Sequence, residues 1–172
     1  MKNHYSVIIV GGGQAGLSMS YCLKEKGFDH IVFEKNRIGH SWRSKRWDSF
    51  CLVTPNWQCK LPGYHYPGDN PNSFMQKDEI VKYIEHYAKS FDPPVKEGVE
   101  VSKVRKSHSQ DVFELTTSIG DYTADQVVIA AGSYHIPKVP KIAERLPEHI
   151  RPKLGKQRSH LFLGCGQIIL WA

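Results

Sequence analysis

Short apolar runs alternate with amphipathic stretches along the first third of the chain. Tyr5–Val10 and His30–Glu34 are apolar runs of strand length, and Leu17–Lys26 between them repeats apolar residues at helical spacing. Gly27 follows as a typical helix-ending residue. The pattern therefore predicts a β-α-β unit with parallel strands. The helix face expected against the sheet consists of Ala15, Met19, Cys22 and Leu23.

The pattern continues with one further helix and then several strands. A helix is expected from Gln76–Glu79 to about Ser90, with Asp78 as its N-cap. Its apolar stripe is Ile80, Val81, Ile84, Tyr87 and Ala88. A strand over Val95–Val104, a hairpin formed by residues 112–117 and 122–124, and a buried strand over residues 124–132 complete the prediction. The fold class is α/β, Rossmann-like, with a parallel sheet, helices and a small antiparallel β-meander.

The turn between the first strand and the first helix carries a G-x-G-x-x-G pattern. Gly11 allows the tight turn, Gly13 lets a diphosphate approach the backbone, and Gly16 lets the helix pack on the strand. Gln14 and Ala15 open the helix, whose N-terminal N–H groups and dipole suit an anion. The turn therefore predicts a dinucleotide site.

An acidic residue strengthens this prediction. Glu34 closes the second apolar run about 20 residues beyond the glycines, where a carboxylate can accept hydrogen bonds from a ribose diol. Lys35 follows it directly. Because a carboxylate repels a 2′-phosphate, FAD or NAD is expected here rather than NADP. The alternative is a glycine-rich turn without function and a surface glutamate beside it.

The loop after Glu34 is rich in aromatic and cationic side chains. Trp42 and Trp47 could wall a flat ring, and Arg43 or Arg46 could bind phosphate oxygens. The alternative is a surface loop whose tryptophans pack on the domain. Further along, Asn56 and Gln58 are polar amides in a segment of irregular backbone; they could bind a ligand or be ordinary loop amides.

Composition excludes several classes. The chain has 172 residues, a net charge of +6, 40% hydrophobic and 23% charged residues, which is ordinary for a globular protein of one domain or slightly more. It has no apolar run of 18 residues and no signal-peptide pattern, so cytoplasm is the expected location and no membrane span is expected. No nucleic-acid module is recognised. Four cysteines without a C-x-x-C pair predict no metal site and mostly buried thiols.

These motifs together resemble a known family. The loop Gly11–Gly16, the pair Glu34–Lys35, and the stretch Gly39–Arg43 with residues 46–49 look like the N-terminal half of flavin-dependent monooxygenases. That group includes flavin-containing monooxygenases, YUCCA-type enzymes, Baeyer–Villiger monooxygenases and CzcO-like flavoproteins. The resemblance covers about residues 5–140 and implies an FAD-binding domain over residues 1–140. In full-length relatives, NADPH reduces the flavin, which then activates oxygen for an organic substrate.

The resemblance also implies positions around the cofactor. Ser41, Trp42 and Arg43 would lie along the FAD, and Asn56 would lie near the reactive edge of the flavin. Val101 would contact the adenine through its main chain. The strand end Ala130–Gly132 resembles the second FAD signature, so Ala131 and Gly132 would approach the cofactor. No catalytic residue is nominated, and the small organic substrate and the oligomeric state stay open.

The resemblance weakens after Pro140. Residues 132–140 fit the family's linker, but the expected second glycine motif has Gly164 and Gly166 with Ile169 in its third position. Residues 141–172 are therefore interpreted as a linker and an incomplete start of an NADPH-binding domain. We expect a truncated product or a single domain, incomplete for catalysis alone. The alternatives are an NAD-binding dehydrogenase domain and a non-catalytic remnant.

Overall fold

The computed structural model describes residues 3–132, Arg145 and residues 169–171. Within these residues there is one main sheet, which has helix residues packed on one face and strand and loop residues in the cluster on the other, and a separate two-stranded hairpin. The helices are α1 Gln14–Glu25, α2 His40–Ser44 and α3 Lys77–Phe91, with a 3₁₀ turn at Asn56–Gln58. The strands are β1 His4–Val10, β2 His30–Glu34, β3 Lys60–Leu61, β4 Tyr64–His65, β5 Val95–Glu97, β6 Val101–Lys106, β7 Phe113–Thr117, β8 Gly120–Ile129 and β9 Ile169–Trp171.

The order of strands in the main sheet confirms the predicted fold class. It runs β5-β2-β1-β8-β7-β6. The first four are parallel, and β8, β7 and β6 form the antiparallel meander. β9 pairs antiparallel with β8. Strand β8 belongs to both halves, so the predicted second hairpin strand and the predicted buried strand after it are one continuous element.

The prediction of a single strand over Val95–Val104 is wrong. Gly98 adopts a left-handed φ of 73° and divides the segment. β5 before it lies beside β2, whereas β6 after it joins the meander at the opposite edge of the sheet. The valines indicated a strand correctly, but the pattern does not distinguish one strand from two that pair with different partners.

Helix α1 is buried on two sides. Ala15, Met19 and Leu23 pack against a sheet face formed by Val7, Ile9, Val32, Val128 and Ala130, as predicted. Leu17 and Ser20 are fully buried, and Leu17 packs with residues of α3. Cys22 is exposed, which corrects its predicted burial. The buried face of α1 is centred on Gly16 and Ser20. At about 100° per residue, Cys22 lies beyond Met19 on the side of the helix turned away from that face.

The prediction that the cysteines are mostly buried is also wrong for the described part of the chain. Cys22 and Cys51 are exposed and Cys59 is half-buried, while Cys165 lies outside the described residues. Among the described residues no group of three histidine, cysteine or carboxylate side chains could hold a metal ion. No helix in the same part of the chain has both the length and the apolar character needed to cross a membrane.

Helix α3 confirms the predicted apolar stripe. Ile80, Val81, Ile84, Tyr87 and Ala88 are all buried, and His86 is exposed as expected. The N-cap is Gln76 and not Asp78. Gln76 is extended because it bridges to Cys51, and it forms a capping box with Glu79, whose carboxylate accepts the Gln76 N–H at 2.8 Å.

Candidate dinucleotide-binding site

Gly11 lies where the ends of β1, β2 and β8 meet. Its φ is 111°, its N–H donates to the Phe33 carbonyl at 2.8 Å, and a Cβ added to it would lie 2.5 Å from the Ala130 carbonyl oxygen. The Ala130 N–H donates in turn to the Val10 carbonyl. Only glycine fits this turn, because any side chain would collide with the end of β8.

Two further glycines of the motif meet different demands. A Cβ at Gly16 would lie 1.9 Å from the Gly11 carbonyl oxygen and 3.3 Å from Ile9, so Gly16 permits the close contact between helix and strand. Gly13 is the N-cap of α1 and has no side chain to cap it. A Cβ at Gly13 would meet no atom within 4 Å. The space above Gly13 is therefore open at the start of the helix, where a diphosphate can bind.

Glu34 points into the same crevice. Its Oε2 accepts the Gly12 N–H at 2.7 Å and its Oε1 accepts the Asn36 N–H at 2.9 Å. A Cβ at Gly12 would lie 3.0 Å from the Glu34 Cβ and 3.3 Å from Oε2. The sequence analysis missed Gly12 because the motif treats its position as variable. The run of three glycines was the available signal.

The segment after β5 crosses the end of β2 beside Glu34. The Val99 N–H donates to the Glu34 carbonyl and the Gly98 N–H donates to the Asn36 carbonyl, each at 2.9 Å. Val101 follows, half-buried against the core formed by one face of the sheet. Lys35 turns outward, and its ammonium lies 2.6 Å from a Glu100 carboxylate oxygen. Val101 and Lys35 thus lie in the two segments next to Glu34.

Helix α2 is connected to the glycine loop through one side-chain hydrogen bond. The Trp42 indole N–H donates to the Gln14 Oε1 at 2.8 Å. The Arg46 guanidinium lies 4.7 Å from the Trp42 ring centre, and the Trp42 and Phe50 rings are 5.9 Å apart. Trp42 and Trp47 both pack against the hydrophobic core around α3. Trp42 also contacts, through Gln14, the glycine loop that would hold a cofactor.

Three other predicted site residues have different surroundings. Arg43 forms an ion pair with Glu85 of α3, and its buried Nε has no hydrogen-bond partner among the described residues. Ser41 is exposed. Asn56 is buried, and its Nδ2 donates to the Asn70 carbonyl at 2.9 Å, so this amide fixes the loop between Phe50 and Gln76. Gln58 is exposed.

The end of β8 completes the crevice. Ala131 and Gly132 are exposed there, and Gly132 has a φ of 77°. The structure therefore brings together Gly11, Gly13, Gly16, Glu34, Ala131 and Gly132 at the carboxyl ends of the parallel strands, with Gln14 and Ala15 in the first turn of α1. Residues 133–140 of the predicted linker (residues 132–140), and the glycines Gly164 and Gly166, lie outside the described residues.

A parallel sheet with a glycine loop at its carboxyl edge and a carboxylate at the end of the second strand defines a dinucleotide-binding α/β protein. Comparison with known families is consistent with this class. The family described as pyridine nucleotide-disulphide oxidoreductase matches residues 8–153. The chain belongs to that family.

Individual relatives agree with the resemblance to flavin monooxygenases. The chain is 38% identical to a CzcO-like uncharacterised oxidoreductase of Geobacillus kaustophilus, over 96% of this chain and 49% of that protein. It is 31% identical to the indole-3-pyruvate monooxygenase YUCCA6 of Arabidopsis thaliana, over 78% of this chain and 33% of that one. The chain thus spans about half the length, or less, of these curated relatives.

Solved structures have the same fold. A flavin-containing monooxygenase from Stenotrophomonas maltophilia superposes with a TM-score of 0.73 at 26% identity, covering 82% of this chain and 42% of that one. A bacillithiol disulfide reductase from Staphylococcus aureus gives 0.71 at 22% identity, covering 81% and 41%. The second likeness is evidence for the fold alone.

Proposed function

We propose that residues 1–140 bind FAD and form the FAD-binding part of an oxidoreductase of the NADPH-dependent flavin monooxygenase type. The observation that carries this proposal is the Glu34 carboxylate, held against Gly12 beside the open start of α1. Relatives named as monooxygenases share this part of the chain. Residues 141–172 are proposed as a linker and the start of a further domain.

The proposed contacts follow the crevice from one end to the other. The FAD diphosphate would lie over Gly13, bound by the N–H groups at the start of α1. The ribose diol would donate to Glu34, and the adenine would meet the main chain at Val101. The flavin end would extend towards Trp42. The full set proposed for the cofactor is Gly11, Gly13, Gln14, Ala15, Gly16, Glu34, Lys35, Ser41, Trp42, Arg43, Asn56, Val101, Ala131 and Gly132.

The bound cofactor would supply the redox chemistry: it accepts two electrons from a nicotinamide and uses them on oxygen. This chain's own residues bind and orient it. Among the described residues Gly11–Gly16 is the only glycine loop at a strand-to-helix turn. In the second candidate motif, Ile169 stands where a glycine is needed for close helix–strand contact. We therefore expect the purified 172-residue chain to show little NADPH-driven oxygenation, and robust NADPH consumption coupled to substrate oxygenation would contradict this.

Titration of the purified protein with FAD tests the proposal. Bound FAD should give a structured visible absorption band and raise the melting temperature, because a ligand that binds only the folded state stabilises it. The variant Glu34→Ala should lose at least about tenfold in affinity, since it removes an acceptor of ribose hydrogen bonds. Glu114→Ala, on the meander, provides a control for the loss of one carboxylate.

Two outcomes would overturn the assignment. If saturating FAD leaves the melting temperature unchanged while NAD raises it, the domain is of the NAD-binding dehydrogenase type. If neither ligand has an effect, the non-catalytic alternative is favoured. Equal FAD affinity of Glu34→Ala and the unmodified protein would place the ribose elsewhere.

A further inference from the structure

The turn that follows Glu34 is attached to a neighbouring strand at several points. The Ile38 N–H donates to the Glu97 Oε1 at 2.8 Å. Two backbone hydrogen bonds from Gly98 and Val99 join the same two segments. Glu97 and Glu34 are register partners in the parallel pair of β5 and β2. The Glu97 carboxylate of β5 therefore accepts a hydrogen bond from the turn that follows the neighbouring strand β2.

This turn supplies one of the two hydrogen bonds that hold the Glu34 carboxylate. Asn36, in the middle of the turn, donates its N–H to the Glu34 Oε1, while Gly12 holds the other oxygen. Asn36 is two residues before Ile38, so the direction of the Asn36 N–H depends on the conformation that the Glu97–Ile38 bond helps to fix. Without that bond the C-terminal end of the turn, at Ile38, would lose its hydrogen bond to β5.

We infer that Glu97 is a positioning residue for the cofactor site: it holds the turn over residues 35–38 so that Glu34 faces the adenosine ribose. This inference rests on the proposed function and deepens it. Register partners in a parallel pair project to the same face of the sheet. The contact that the structure shows for the Glu97 side chain is the hydrogen bond accepted from the Ile38 N–H, so we assign the positioning effect to the acceptor oxygen and not to the negative charge.

Two substitutions separate these properties. Glu97→Ala removes the acceptor and the charge, whereas Glu97→Gln removes the charge but keeps an acceptor oxygen. We expect Glu97→Ala to weaken FAD binding about three- to tenfold, because the lost bond is exposed and water replaces part of it. Glu97→Gln should bind FAD as tightly as the unmodified protein. Glu114→Ala again controls for the loss of a glutamate elsewhere.

A second probe tests whether Glu97 acts through Glu34. An FAD analogue without the adenosine 2′-hydroxyl cannot donate that hydrogen bond to Glu34. The loss caused by Glu97→Ala should therefore be smaller for the analogue than for FAD. An equal loss for both ligands would show that Glu97 supports the domain only in a general way, and the inference would be wrong.

A measurement without ligand separates this inference from the proposed function. Amide hydrogen exchange of Ile38 and Asn36 in the ligand-free protein should become faster in Glu97→Ala and stay unchanged in Glu97→Gln. Unchanged exchange in Glu97→Ala would overturn the positioning role even if FAD binds. Absence of FAD binding by the unmodified protein would overturn the proposed function, whatever the exchange shows.

Discussion

At the scale of single residues, three of the four neighbouring glycines meet different steric demands and the fourth meets none. Gly11 needs its left-handed φ and the space beside β8, Gly12 leaves room for the Glu34 side chain, and Gly16 brings α1 onto β1. Gly13 alone faces open space. Gly13 can therefore be tested as a binding position separately from its contribution to folding.

We expect Gly13→Ala to leave stability within about 1 kcal/mol of the unmodified protein, the usual range for a change at an N-cap. It should nevertheless lower FAD affinity about tenfold or more, because the methyl group occupies the space in which the diphosphate would approach. Gly16→Ala should instead destabilise the fold by about 3 kcal/mol or more, since its Cβ would collide with backbone. Urea denaturation and FAD titration of both variants measure the two effects. Equal loss of stability in both would contradict the distinction.

The sequence predicted the residues of this site that belong to a local motif and missed those that depend on contacts across the fold. Gly11, Gly13, Gly16 and Glu34 were predicted by spacing, and the structure brings them together. The contact of Glu97 with Ile38 was not predicted. It joins β5 to the turn after β2, and α2, the β3–β4 hairpin and α3 lie between these two segments in the chain, so spacing carries no information about such a pair.

At the scale of elements, the start of α3 shows the same limit. Its apolar stripe follows from 3.6-residue periodicity and needs no partner to be recognised. Its N-cap does depend on a distant partner, because Gln76 is extended and forms a bridge with Cys51. Asp78 looked like an N-cap by residue type. The division of Val95–Val104 into β5 and β6 likewise depends on which strands lie on either side.

The capping box of α3 gives a prediction with an internal control. Glu79→Ala should lower the free energy of unfolding by about 1 kcal/mol, because it removes the acceptor of the Gln76 N–H and one carboxylate near the helix N-terminus. Asp78→Ala removes a carboxylate from the same turn without breaking the box, and should cost clearly less. Urea denaturation of the two variants compares them directly. A larger loss for Asp78→Ala would mean that Asp78 is the cap.

At the scale of the whole molecule, a layer of tyrosines joins α1, α3 and the β3–β4 hairpin. The Tyr64 ring lies 5.6 Å from that of Tyr87 and 5.4 Å from that of Tyr83, and the rings of Tyr21 and Tyr87 are 6.2 Å apart. Gly63, in the hairpin turn, has a φ of 70° and lies so close to Tyr21 that a Cβ there would be 2.1 Å from its hydroxyl oxygen. The layer fixes the loop between Phe50 and Gln76 onto the Rossmann-like core.

Two of these tyrosines connect stability to alkaline pH. Burial raises the pKa of Tyr83 to about 12, with smaller contributions from the neighbouring Cys59 and Tyr64. Burial is also the main cause that raises the pKa of Tyr87. The Tyr83 hydroxyl donates to the Cys59 carbonyl at 3.0 Å, a bond that the ionised form cannot make. Because the folded state holds both phenolic protons more tightly than the unfolded state, their contribution is complete below about pH 10.

This contribution should be lost as the pH rises from about 10 towards 12 and beyond. Each tyrosine adds a slope of up to about 1.4 kcal/mol per pH unit within its window. We therefore expect the urea midpoint to fall steeply above pH 10, and tyrosinate absorbance near 295 nm to appear together with unfolding. Tyr83→Phe and Tyr87→Phe should each flatten the fall, because phenylalanine has no proton to lose. If neither substitution at positions 83 and 87 flattens the fall, titration of the buried layer does not cause the alkaline loss of stability, and lysines or exposed tyrosines must cause it instead.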